Sequence, residues 1–121
     1  MYIGAVAKQT GLSVKAIRLY EKKGLIQPPA RHGRYRVYRA QDVEALKLIV
    51  EAKSLGVTLA RLKDVIVYHD GELDWQRIGL FLTEVKQSLE LEKQALEAKI
   101  AQAAQCLQSL HSCPKMLDSA L

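Results

Sequence analysis

Between Thr83 and Ser112 the chain has neither glycine nor proline, and along that stretch Leu82, Val85, Leu89, Leu96, Ile100, Ala103, Leu107 and Leu110 recur at three- and four-residue steps. The stripe is interrupted only around Glu92 and Lys93. This spacing predicts one amphipathic helix from about Asp74 to about His111. A helix of roughly 38 residues is about 57 Å long at about 1.5 Å per residue. That is too long for its apolar stripe to be covered by the small domain left in the rest of the chain. It needs a partner, and the economical one is a second copy of itself, so these eight residues are read as a homodimer interface.

With 121 residues, 49% apolar and 26% charged, the chain has room for one small domain plus that long element. No apolar run approaches membrane-spanning length and no charged-then-apolar leader opens the sequence. The expectation is therefore a cytoplasmic protein without membrane contact, whose two cysteines stay reduced. Charge is unevenly spread. Residues 1–67 hold 13 Lys+Arg against 5 Asp+Glu, whereas residues 68–121 hold 5 against 8. The basic half is the candidate for a polyanion, because clustered cations gain from counterion release on phosphate.

The segment from Ile3 to Leu25 reads as two short helices around a tight turn. Val6 and Ala7 lie on the buried side of the first, and Ala7 is small enough to let a second helix cross closely. Gly11 supplies the turn and Ser13 caps the second helix, whose apolar positions Val14, Ile17 and Tyr20 follow helical spacing. Gly24, after Lys22 and Lys23, stops it. This is a helix-turn-helix. Lys15 and Arg18 are three apart, share a face away from Val14 and Ile17, and are placed to enter a major groove. A solvated basic face would look the same from these two residues alone.

The next segment favours DNA. Pro28-Pro29 closes the helical region, and residues 31–39, Arg-His-Gly-Arg-Tyr-Arg-Val-Tyr-Arg, place a turn at Gly33 before alternating basic and aromatic or β-branched residues. They read as a two-stranded wing whose four arginines and two tyrosines, Arg31, Arg34, Tyr35 and Arg36 among them, suit phosphate contact. A second helical pair repeats the logic: Asp42 caps a helix carrying Val43, Leu46, Ile49 and Val50 that stops at Gly56, and Thr58 starts another with Leu59, Leu62, Val65 and Ile66. Lys53 and Thr58 flank that turn. Tyr68-His-Asp-Gly71 is the next punctuation and the expected domain boundary. The fold class is thus mainly α: a winged helix-turn-helix DNA-binding domain over 1–70, a coiled-coil dimerisation helix over 71–112, and a short C-terminal effector or tail segment over 113–121. Enzyme chemistry has no support: His32, His69 and His111 are scattered, and there is no phosphate-binding glycine loop and no nucleophile beside a base.

The two cysteines, Cys106 and Cys113, stand seven apart. On a continuous helix that is roughly 10.5 Å along the axis, beyond one disulfide or one linear dithiolate ion. Cys106 lies beside the apolar stripe, where a free cysteine is usually small core. Cys113 sits at a terminus before Pro114 and near His111, and is soft enough for Cu(I), Ag(I) or Hg(II). Cys113, Cys106 and His111 are the candidate metal or thiol-sensing residues.

Together, Tyr2-Ile-Gly-Ala-Val-Ala-Lys8, the run from Gly11 to Ile26, the wing Tyr35-Arg-Val-Tyr38, and Ala52-Lys-Ser-Leu-Gly-Val-Thr-Leu59 before a long helix resemble the MerR family of bacterial transcription regulators, most closely its copper- and mercury-responsive members. The resemblance covers nearly the whole chain. It implies a dimer through an antiparallel coiled coil, bound to a pseudo-palindromic promoter operator. There the regulator untwists and kinks an overlong spacer on effector binding, so that RNA polymerase engages. By position it implies groove contacts from Lys15 and Arg18, backbone contacts from Tyr20, Tyr35 and Arg36, and further contacts from Arg31 and Lys53 on the two wings. This sequence departs from the family in having Arg34 where members often have glycine, with a wing one residue short. It also has no cysteine at the start of the dimer helix, where Glu72-Leu-Asp-Trp75 stands instead. That departure favours a soft monovalent ion or an electrophile as effector over zinc. The competing reading is an architectural or excision-type DNA-binding protein with no effector.

Overall fold

The computed structural model describes residues 1–112. In chain order the elements are α1 (Ile3–Thr10), α2 (Val14–Lys22), β1 (Ala30–His32), β2 (Tyr35–Val37), α3 (Ala40–Ser54), α4 (Leu59–Val65), β3 (Tyr68–His69), β4 (Glu72–Leu73) and α5 (Trp75–Ser112). They belong to two compact units, one from Met1 to Gly79 and one from Leu80 onward. The first therefore includes the opening turn of α5.

The first unit is built on α3, whose Val43, Ala45, Leu46, Ile49 and Ala52 are all buried, and which touches α1, α4 and β4. Val6 of α1, Ile17 of α2 and Leu62 of α4 complete this core. Two of the helix ends are made the same way. After α2, Gly24 takes φ 79° so that its N–H donates to the Glu21 carbonyl and the Leu25 N–H donates to that of Tyr20. After α3, Gly56 takes φ 89°, with the same pair of bonds from Gly56 to Lys53 and from Val57 to Ala52. In each case the left-handed glycine turns the chain and the residue after it, Leu25 or Val57, is buried. The following helix is started by a side chain: Ser13 Oγ accepts the Ala16 N–H for α2, and Thr58 Oγ1 accepts the Arg61 N–H for α4.

Asp42 departs from the expected cap. Helix α3 begins earlier, with Arg39 at the N-cap, and Asp42 lies in the first turn, where its Oδ2 accepts the Arg39 N–H at 2.9 Å. The reason is physical: a fully buried carboxylate is tolerated where it accepts an otherwise orphaned helix N–H.

Strands β1 and β2 form an antiparallel hairpin with Ala30 opposite Val37, Arg31 opposite Arg36 and His32 opposite Tyr35, turned by Gly33 at φ 63°. The N-terminus extends it. Tyr2 bridges Val37, and the Tyr38 N–H donates to the Met1 carbonyl at 2.7 Å. Residues 68–71, read from sequence as punctuation, begin a second small hairpin, β3 with β4. Asp70 and Gly71 both have positive φ, as the tightest two-residue hairpin turn requires.

Helix α5 starts on Asp74, whose Oδ1 accepts the Arg77 N–H at 3.0 Å. That bond holds the Asp74 carboxyl below its ordinary range, helped by His69, whose Nε2 lies 3.2 Å from Oδ2. The helix then runs 38 residues without a break. Along its stripe Val85 is buried and Leu82 and Leu110 are half-buried, whereas Leu89, Leu96, Ile100, Ala103 and Leu107 are exposed. Among the described residues no helix is long and apolar enough to cross a membrane.

Two tyrosines of the first unit resist ionisation. Burial raises Tyr38, with the neighbouring Glu21 carboxylate adding to it, and burial raises Tyr68, each from 10.0 to about 12. The folded state thus holds these phenol protons more tightly than the unfolded chain does. Their contribution to stability is complete below pH 10 and is lost as pH rises toward 12. A tyrosinate absorbance titration should show Tyr38 and Tyr68 ionising late, together with unfolding, and Tyr38→Phe should remove one of these late transitions. Ionisation of Tyr38 and Tyr68 near their ordinary value while the protein stays folded would contradict this burial.

Candidate nucleic-acid interface

Helix α2 turns Ile17 and Tyr20 into the core and leaves Lys15, Arg18, Leu19 and Lys22 exposed. Ser13, Lys15, Ala16, Arg18, Leu19 and Lys22 line a shallow, largely apolar depression on this face. The face sets cations around an aliphatic centre on one exposed helix, an arrangement that suits a major groove. Among the described residues neither Lys15 nor Arg18 has an ion-pair partner.

The wing's side chains differ in exposure and in what they meet. Tyr35 is exposed, with Arg31 on the paired strand and Arg34 in the turn exposed and without an ion-pair partner among the described residues. Tyr2 joins this surface, its ring 5.7 Å from that of Tyr35 and tilted by 55°. Arg36, opposite Arg31 in the register, and Tyr38 are instead engaged within the protein. Tyr38 is 2% exposed, and its hydroxyl donates to Glu21 Oε2 at 3.3 Å. Arg36 Nε lies 3.4 Å from Glu21 Oε1. Arg39 is also engaged, donating through Nη2 to Gln27 Oε1 at 2.8 Å and lying 3.5 Å from Asp42 Oδ1. Of the four arginines and two tyrosines read as a phosphate-binding set, Arg31, Arg34 and Tyr35 face solvent. Arg36, Tyr38 and Arg39 are tied into the protein.

Tyr20 is 4% exposed, a core residue whose hydroxyl accepts from α3. Lys53 Nζ donates to that hydroxyl at 3.5 Å and lies 6.0 Å from the ring centroid, so the two approach one surface from α2 and α3. Thr58 is exposed, and because its Oγ1 accepts a helix N–H, its own O–H remains to donate. Sequence reading missed Tyr2, Glu21 and the small hairpin. Glu21 sits one turn after Arg18 on the same helix, and that spacing was its only signal.

The candidate sensing residues are separate from this face. Cys106 and His111 are exposed on α5. Five residues apart on a continuous helix, they point roughly 140° apart and do not converge. Among the described residues no group of three or more His, Cys, Asp or Glu could hold a metal ion. Cys113 lies outside the described residues.

Comparison with known proteins agrees with this geometry. Residues 1–68 match the family model described as MerR HTH family regulatory protein. The HTH-type transcriptional regulator CueR of Escherichia coli O6:H1 is 36% identical over 118 residues, spanning 97% of this chain and 78% of that protein. CueR of Vibrio cholerae is 37% identical over 106 residues, spanning 74% and 76%. Among solved structures, the N-terminal part of MtaN, the Bacillus subtilis multidrug transporter activator, shares the fold with a TM-score of 0.65 at 24% identity, over 88% of this chain and 97% of that one. HiNmlR, a MerR family regulator lacking the sensor domain and bound to promoter DNA, is similar with a TM-score of 0.56 at 27% identity, over 93% of each chain.

Proposed function

The chain belongs to the MerR family of regulatory proteins and is a DNA-binding transcriptional regulator, and we propose that it acts as a homodimer on a pseudo-palindromic promoter operator. Regulation would follow from distortion of the DNA on effector binding, which lets RNA polymerase engage. The observation that carries this is the pairing of two unpartnered surfaces in one chain. One is the exposed Lys15–Arg18 face of α2, and the other the run of exposed apolar residues on α5.

Lys15 and Arg18 read base edges, Arg31, Arg34 and Tyr35 hold phosphates from the wing, and Lys53, Thr58 and the Tyr20 hydroxyl hold them from the α3–α4 turn. A helix-turn-helix reads one half-site, so a palindrome needs two copies. On α5, Leu89, Leu96, Ile100 and Leu107 are between 40% and 68% exposed, an arrangement that a second α5 would bury. The effector is a soft metal ion such as Cu(I), Ag(I) or Hg(II), or a thiol-reactive compound. The sensing thiol is Cys113, near His111 in the sequence, completed by the partner subunit or by Cys106 after local unwinding. A bound soft ion would supply thiolate coordination; the chain's own part is to present an ionisable thiol at the end of its dimer helix.

Three outcomes test this proposal. Arg18→Ala should cost about 1–3 kcal/mol, chiefly on the preferred sequence, while Arg31→Ala should weaken all sequences alike and lower the salt slope by about one. Titrations at several salt concentrations separate the two, and operator binding by Arg18→Ala as tight as the parent's would refute the groove assignment. The pair Leu96→Glu with Ile100→Glu should give monomers that have lost operator binding. A parent protein that sediments as a monomer at micromolar concentration would end the dimer reading. In a transcription assay Cys113→Ser should abolish the response to soft metals and electrophiles. A full response from the Cys106, Cys113 double serine variant would refute the thiol-sensing assignment, and a parent protein that responds to no effector would favour the architectural reading.

A further inference from the structure

Glu21 is an acidic side chain on a helix otherwise suited to a polyanion. Phosphate repels it, so its place between Arg18 and Lys22 calls for a compensating role. The geometry supplies one. The two oxygens of its carboxylate face two residues of the wing strand and its end: Oε1 lies 3.4 Å from Arg36 Nε, and Oε2 accepts the Tyr38 hydroxyl at 3.3 Å. The Glu21 side chain is 15% exposed and that of Arg36 28%. Arg36 Nε is buried and has no aligned hydrogen bond, so this contact rests on charge rather than on hydrogen-bond direction. One turn back on α2 stands Arg18, and β2, which carries Arg36, also carries the outward Tyr35. A single carboxylate therefore fixes the strand that presents the wing to the helix that presents the groove contacts.

We infer that Glu21 is a positioning residue for DNA recognition: it touches no DNA, and through Arg36 and Tyr38 it holds the wing at a fixed offset from α2, so that phosphate contacts and base contacts share one register. It also occupies the Arg36 charge, keeping that arginine from gripping phosphate on any sequence. Both effects raise discrimination between sequences rather than raw affinity. This inference rests on the proposed DNA-binding function and concerns only how its selectivity arises.

The substitution Glu21→Gln separates charge from shape. Glutamine keeps an acceptor for Tyr38 and nearly the same volume, but it removes the attraction for Arg36. The probes are a duplex selected by the parent protein from a random-sequence pool and a scrambled duplex of the same length, each titrated over a range of salt. In Glu21→Gln the ratio of affinities for the two duplexes should fall about tenfold. Binding to the scrambled duplex should not weaken, and its salt slope should steepen by about one as Arg36 is released to phosphate. Adding Arg36→Gln should remove that steepening, which a merely structural role for Glu21 would not produce. Equal weakening on both duplexes, or an unchanged ratio, would overturn the inference. Should Glu21→Gln lose its cooperative thermal transition, Arg36→Gln alone breaks the pair from the wing side; the ratio must then fall as well, and an unchanged ratio refutes the role. A parent protein that selects no sequence from the pool overturns the proposed DNA-binding function first, and this inference with it.

Discussion

Helix α3 buries Val43, Ala45, Leu46, Ile49 and Ala52, and the first unit depends on that burial. Each large aliphatic side chain taken out of water there is worth about 1.5–3 kcal/mol, more than any one cap or surface ion pair in the same unit. Because α1, α4 and β4 all rest on α3, the positions of the outward-facing parts are set by that shared core. Helix α2 contributes little more than Ile17 and Tyr20 to the interior. Its other side chains are thereby free to be polar, charged or small without loss of the fold.

The basic half of the sequence does not translate into a uniformly basic surface. Arg39 is bound to Gln27 and Asp42, and Arg36 to Glu21. Among the cations left for an external anion are Lys15, Arg18 and Lys22 on α2 and Arg31 and Arg34 of the wing. Net charge sets long-range attraction to DNA. Which cations reach a phosphate is decided by pairing inside the protein, and so is the part of recognition that depends on position.

Much of the architecture was legible because it is written in local chemistry. Gly11, Gly24 and Gly56 sit where left-handed backbone ends a helix, Ser13 and Thr58 where a hydroxyl starts one, and the stripe on α5 has a period that only a helix satisfies. The Asp70-Gly71 pair carried an equally local signal, yet the strands it joins are two residues each, too short to show alternation. The wing was harder. A strand puts successive side chains on opposite faces, so its arginines could be assigned only once it was known which face meets α2. The residue that decides this, Glu21, is fifteen positions before Arg36, and nothing in the spacing between them signals contact. Asp42 failed for a related reason: an acid near a helix start serves equally as N-cap or as a first-turn acceptor, and tertiary burial chose the second.

The uninterrupted course of α5 has an evolutionary corollary. Each residue advances the helix by about 100°, so one residue inserted between Leu89 and Leu96 would swing Leu96, Ile100 and Leu107 by that angle away from Leu89. Seven residues restore the phase to within about 20°. A loop absorbs an insertion of any size, but this segment should change length only in near-heptad steps. Among natural variants of the chain, indels in α5 should therefore be rare, quantised, and accompanied by conservation of rotational phase rather than of any one side chain.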